Sequence, residues 1–325
     1  MKKDFGLHKR PPWQENIVAY GYFAGWSLVR RLPLWLTHRI FGKIADAVSR
    51  NGKGPEQLRK NLTRVVGSEN VTRQLVRDSM RSYFRYWLEA FRLPTMQYEH
   101  NLPQRLAAGV SGRSAFDAAL SRGRGVVLAL PHTGNWDMAG AFVVAHYGQF
   151  ATVAERVKPE SLFDAFVEYR NSIGFDVIPL TGGDKPPFPY LKQVLNDGGV
   201  VALLCERDLK NTGVIVDFFG EPASMAAGPA ALARETGATL FAVHSWYQGI
   251  DDGASPNWGL AATHEIEVSD VQSTTQRLAD AFAENIAKTP QDWHMLQPVW
   301  LRDLDPERMS QQQLDALRAH TQEEK

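Results

Sequence analysis

The chain has 325 residues, with 36 Lys plus Arg set against 36 Asp plus Glu, and its apolar, glycine and proline contents are those of an ordinary globular protein. Its one cysteine, Cys205, excludes an intramolecular disulfide, and its place beside the apolar run Val200 to Leu204 reads as a small buried hydrophobe rather than a nucleophile. The zero net charge hides an asymmetry, because residues 1–92 hold 18 basic and 7 acidic residues, a balance of +11, and the rest of the chain carries the opposite balance.

A cationic front end suits nucleic acid, an anionic membrane surface or an acidic partner, and its aromatic and aliphatic content favours the membrane and no nucleic acid. The apolar stretch Ile17 to Val29 is closed by Arg30 and Arg31 well short of the roughly 20 residues that cross a bilayer. It is expected to lie in the interface. No convincing cleavage site follows, since Ala45 and Ala47 come only after further basic residues. The mature chain is expected to begin near Met1 and to stay on the cytoplasmic face of the membrane as a peripheral protein.

Between Arg73 and Arg92, Val76, Met80, Tyr83, Phe84, Trp87 and Phe91 recur at helical spacing, with Arg73, Arg77, Arg81 and Arg85 at every fourth position beside them. This predicts a helix that either docks on the core with a solvated arginine edge or meets a lipid surface. After Pro94 strands and helices take turns. Strands are expected at Val126 to Leu130, Phe150 to Glu155, Asp176 to Pro179, Val200 to Cys205, Val214 to Phe218 and Leu240 to Trp246. Helices are expected at Arg113 to Ser121, Met138 to His146, Glu160 to Ile173, Lys192 to Asn196, Ala227 to Thr236 and 275–289. Such alternation is the mark of an α/β fold with a mixed, mostly parallel central sheet flanked by helices, preceded here by N-terminal amphipathic helices. The expected division is a basic helical region for membrane association over 1–95, an α/β core over 96–300 and a polar tail over 301–325, frayed or disordered. Thr181 to Pro189, with two glycines and three prolines, reads as a loop, either a plain surface connection or a cover near a site.

The densest chemical signal is His132-Thr133-Gly134-Asn135-Trp136-Asp137. It follows the buried-looking strand Val126 to Leu130 and precedes a helix, so the imidazole stands at a strand's carboxyl end, where open α/β sheets place ligands. An imidazole with a carboxylate nearby can take a proton from a hydroxyl at neutral pH and hold the charge it gains. Glu206 also follows an apolar strand, and in a parallel sheet it emerges on the same edge as His132. Arg170 ends a helix as either an anion ligand or a partner of the helix's own carbonyls, and Glu155 closes a strand. His244, His264 and His294 are scattered singly, without the paired spacing of a zinc site, so no metal is expected. No phosphate-binding loop, Rossmann fingerprint or nucleophile elbow is present.

The His132 to Asp137 motif with its strand and helix, together with Gly134-Asn135-Trp136, resembles the lysophospholipid acyltransferase-like superfamily, in its lipid A acyltransferase and phosphatidylinositol mannoside acyltransferase branch. By motif order the resemblance covers roughly residues 70 to 300. Trp136-Asp137-Met138-Ala139-Gly140 and the short N-terminal apolar segment look most like the phosphatidylinositol mannoside side. The resemblance implies that Glu206 pairs with a catalytic His132, that Asp137 supports them, and that Arg170 and Glu155 belong to the substrate site. It implies that Phe218 to Pro222 forms a turn before a helix beside the acyl site. It also implies an O-acyltransferase with no cofactor, acyl-CoA as donor substrate and a mannose hydroxyl of a membrane glycolipid as acceptor. A lipid A-type acyltransferase, a thioesterase and a catalytically idle lipid-binding homologue are the rival readings.

Overall fold

The computed structural model describes residues 25–96, 101–156, 160–183, 185–249 and 257–323. Most of the expected interfacial segment, up to residue 24, lies outside the described residues; residues 25–31 are helical. Three helices follow: α1 (Leu34–Val48), α2 (Glu56–Val66) and α3 (Arg73–Met96). They share a small apolar cluster built from Ala45, Leu58, Leu62, Val76 and Met80. The far end of α3 enters the main core through Leu93 and Met96.

The core is a seven-stranded sheet in the order β1-β9-β8-β2-β5-β3-β4. Its strands are β1 (Val110–Ser111), β2 (Val126–Leu130), β3 (Phe150–Ala154), β4 (Phe175–Pro179), β5 (Val200–Leu204), β8 (Thr239–Tyr247) and β9 (Trp258–Ile266). All neighbours run parallel except β8 and β9, which are antiparallel. The sheet is therefore mixed and mostly parallel, with both faces covered. Alternate residues of β2 make this visible: Val126, Leu128 and Leu130 enter one core cluster, Val127 and Ala129 the other. The first face carries α4 (Leu102–Ala108), α5 (Arg113–Ser121), α6 (Trp136–Tyr147) and α7 (Glu160–Ser172). The second carries α8 (Pro187–Asn196), α9 (Gly228–Thr236) and α10 (Val271–Lys288).

Several elements differ from the sequence reading, each for a physical reason. β9 was not visible because Gly259, Ala261 and Ala262 carry little strand propensity. Nor was β7 (Glu221–Met225), which contains Pro222 and pairs only with β6 (Val214–Phe218). Phe218 to Pro222 is the tip of that hairpin, with Phe219 and Gly220 at φ of 54° and 79°, the left-handed pair that a two-residue hairpin turn requires. The helix that follows, α9, packs on the second face of the sheet, away from the apolar cavity described below. α8 starts inside the proline-rich stretch, because Pro187 and Pro189 lie in its first turn, where missing N–H groups cost nothing. The polar tail is not frayed: Gln311–Glu323 forms a helix, α11, with Gln313 buried.

Two of the four arginines on the edge of α3 are paired within the protein. Arg81 makes two bonds of 2.7 Å to Asp46 on α1, and Arg85 bonds the buried Glu89 at 2.7 Å while lying over the Tyr247 ring. Apolar surface is instead exposed on α1, at Trp35, Ile40, Ile44 and Val48. Among the described residues no helix is long and apolar enough to cross a membrane.

Candidate active site

β2 and β5 lie side by side in register, Leu130 opposite Leu204. His132 and Glu206 each stand two residues beyond that pair, so the parallel ladder delivers both to one point on the sheet's carboxyl edge. The His132 ring Nδ1 is 2.7 Å from Glu206 Oε1, and the His132 backbone N–H donates to the same oxygen at 2.6 Å. Glu206 is fully buried, while the His132 side chain is 30% exposed, so the imidazole is the partner that a substrate reaches. Burial pushes the Glu206 carboxyl up, but the adjacent imidazole and N–H groups outweigh it and hold the group below the usual glutamate range. An ionised carboxylate only accepts hydrogen bonds, so His132 carries its proton on Nδ1 and leaves Nε2 free to act as a base.

Asp137 lies elsewhere. It is buried in the first turn of α6 and receives Arg170 through two bonds, Nε to Oδ1 at 2.8 Å and Nη2 to Oδ2 at 3.1 Å. The Tyr86 hydroxyl donates to Asp137 Oδ2 at 3.0 Å. Burial opposes the Arg170 charge, but Asp137 more than offsets it and raises the guanidinium above its ordinary value. This fork-to-fork pair ties α6 to α7 and to α3, and it engages Arg170 with a carboxylate of the protein itself. Glu155 is exposed, at the rim of the cavity below. The structure thus brings His132 and Glu206 together and joins Asp137 to Arg170 separately, with Asp137, Arg170 and Glu155 all lining the cavity below.

The loop between β2 and α6 is held by groups far away in sequence. The backbone N–H of His294 donates to the His132 carbonyl at 2.7 Å, and that of Gly134 to the Asp292 carbonyl at 2.8 Å. Ser245 Oγ donates to the Thr133 carbonyl. Gly134 sits at φ +52°, and a Cβ there would meet the Ser245 carbonyl carbon at 2.6 Å, so only glycine fits. Asn135 caps α6 by accepting from the Met138 N–H at 3.0 Å, and its amide donates to buried Glu89 at 2.7 Å. Glu89 also receives Trp258 Nε1 at 2.8 Å. Ser82 links Asp292 (2.7 Å) and the His294 ring (2.9 Å). Burial, with His132 nearby, lowers His294 to about 3, so it stays neutral and presents no like charge to an imidazolium forming on His132.

Tyr86, Glu89, Asp292 and His294 were missed as parts of the site. Glu89 pairs locally with Arg85 four residues before it, but only the tertiary fold reveals its bonds to Asn135 and Trp258 and the partners of the other three. Cys205 fits its sequence reading: it is buried, and burial holds its thiol well above the ordinary value.

Beside His132 opens an apolar cavity of about 280 Å³ that runs beneath α6 on the first face of the sheet. Leu130, Trp136 and Leu204 line it at the catalytic edge. The Trp136 ring stands edge-on to the His132 ring at 5.2 Å and against Tyr86 at 3.8 Å, so Trp136 is the wall between imidazole and cavity.

A histidine–glutamate pair at a strand edge beside an apolar cavity is an arrangement that can serve the movement of acyl groups. The chain belongs to the bacterial lipid A biosynthesis acyltransferase family, whose model matches residues 12–302, further toward the N-terminus than the motifs alone reach. It is an acyltransferase. Over 306 residues it is 53% identical to the phosphatidylinositol mannoside acyltransferase of Mycolicibacterium smegmatis, covering 93% of this chain and 97% of that one. Over 296 residues it is 50% identical to the phosphatidylinositol mannoside acyltransferase of Mycobacterium tuberculosis strain H37Rv, covering 90% and 91%.

Proposed function

We propose that the enzyme transfers a long fatty acyl chain from acyl-CoA to a mannose hydroxyl of a phosphatidylinositol mannoside at the cytoplasmic face of the membrane. The observation that carries this reading is His132, part-exposed and bonded to buried Glu206, beside an apolar cavity lined by its neighbours Leu130 and Trp136. The names of the two relatives supply the acceptor. His132 Nε2 takes the proton of the sugar hydroxyl as its oxygen attacks the thioester carbonyl, and Glu206 stabilises the imidazolium. Collapse of the tetrahedral intermediate breaks the carbon–sulfur bond, and the departing thiolate takes the proton from Nε2. The cavity receives the acyl chain, and Trp136 separates it from the base. His132, Glu206 and the acyl chain need no cofactor for this step.

Mass spectrometry of the products formed from palmitoyl-CoA and a purified phosphatidylinositol mannoside tests the reading. The expected product is the glycolipid with one added acyl group and an equivalent of free CoA. Free fatty acid as the sole product would identify a thioesterase instead, and acylation of a lipid A precursor in preference to the mannoside would move the enzyme to the other branch.

Attachment to an anionic membrane is supported by α1, which buries Thr37 and Ala45 but exposes Trp35, Ile40, Ile44 and Val48 with Arg39 and Lys43 beside them. A basic residue near such a surface contributes about 1 kcal/mol, screened by salt. Replacing Trp35 and Ile44 by glutamate is therefore expected to reduce cosedimentation with phosphatidylglycerol-rich vesicles by tenfold or more (roughly, from the lost apolar burial). Activity on a detergent-dispersed acceptor should persist. Vesicle binding unchanged by these substitutions would remove α1 from the membrane contact.

A further inference from the structure

We infer that Phe116 and Tyr147 form the stop that sets the longest acyl chain the enzyme accepts. This rests on the reading of the apolar cavity as the acyl site. The cavity begins at Trp136, the first residue of α6, and reaches Tyr147, the last residue of the same helix. At about 1.5 Å per residue the helix puts the two about 16 Å apart, so α6 measures out the cavity from the base to its far end.

That far end is mainly apolar, with Arg113 the charged group in its lining. Val110, Leu260 and Ala262 line it, and Phe116 meets Tyr147 edge-to-face at 4.7 Å. Tyr147 is held from outside. Its hydroxyl donates to Asp117 at 2.6 Å and accepts from Arg113 Nε at 3.0 Å, and the Arg113 guanidinium lies over the ring at 5.7 Å. Burial and the bond to Asp117 raise the phenol above its ordinary value, so it remains the donor. The α7 side of the cavity is the more polar end, because Glu155, Asp137 and Arg170 line it against Arg113 at the other, and a hydrocarbon end packed there would desolvate more charge. A chain that starts at His132 therefore ends against the Phe116 and Tyr147 rings.

The test is the profile of kcat/KM across saturated acyl-CoAs of increasing length, measured on the full chain with excess acceptor. Tyr147→Ala opens the end and should raise the ratio of long-chain to short-chain kcat/KM by about tenfold or more, the scale on which an apolar pocket discriminates added methylenes. Phe116→Trp fills the end and should shift the profile toward shorter chains, which keeps the proposal testable where Tyr147→Ala does not fold. Phe166→Trp, on the α7 side, should leave the cut-off in place. A cut-off moved by Phe166→Trp and not by the other two overturns the stop while leaving the cavity as the acyl site. Profiles unchanged in all three active variants overturn the stop and the acyl reading of the cavity together.

Discussion

Replacing His132 by alanine is expected to lower turnover by about 10²- to 10⁴-fold, the range for a lost general base. The ring is 30% exposed and its one strong side-chain bond is to Glu206, so its removal leaves the surrounding loop bonds intact. These run through backbone groups of residues 132 to 134 and through the Asn135 side chain. The variant should fold, bind donor and fail in the chemical step. Steady-state kinetics with a thermal melt decides the matter: near-wild-type turnover in a folded variant would show that another group takes the proton.

Glu206→Gln is the second large effect, and it separates charge from shape. Glutamine retains an oxygen that accepts the His132 N–H groups, but it removes the negative charge that stabilises the imidazolium and can stabilise the wrong tautomer. A loss of about 10²- to 10⁴-fold in kcat is expected, with KM for the donor little changed, because Glu206 is fully buried behind His132. A collapse of donor binding with turnover preserved at saturation would instead make Glu206 a contact of the substrate.

The two halves of this dyad are legible in the sequence because each follows an uninterrupted apolar strand, Val126 to Leu130 and Val200 to Leu204, and parallel strands end on a common edge. The register that sets Leu130 opposite Leu204 supplies the rest. The role of Asp137 is not legible. Spacing places it near His132, but the first turn of a helix points successive side chains in different directions. Asp137 turns to Arg170 and Tyr86, residues of two other helices. The basic stripe of α3 is legible only in part, for a related reason. Periodicity finds the helix, its apolar face and the i,i+4 spacing of Arg85 and Glu89, but it cannot show that Asp46 on α1 stands opposite Arg81. Strands rich in glycine and alanine or containing proline, such as β9 and β7, are invisible to any reading that relies on apolar alternation.

The loop that carries His132 is pinned by Ser245, Asp292 and His294, which the ribosome delivers well over a hundred residues after it. Contacts of such long sequence separation close late, because the entropy of the intervening chain must be overcome before they form. A nascent chain that has completed β2 and α6 already holds the whole acyltransferase motif, yet it lacks the segment that fixes the motif's backbone. The backbone that carries His132 is therefore fixed only as synthesis nears its end, once Asp292 and His294 have been made.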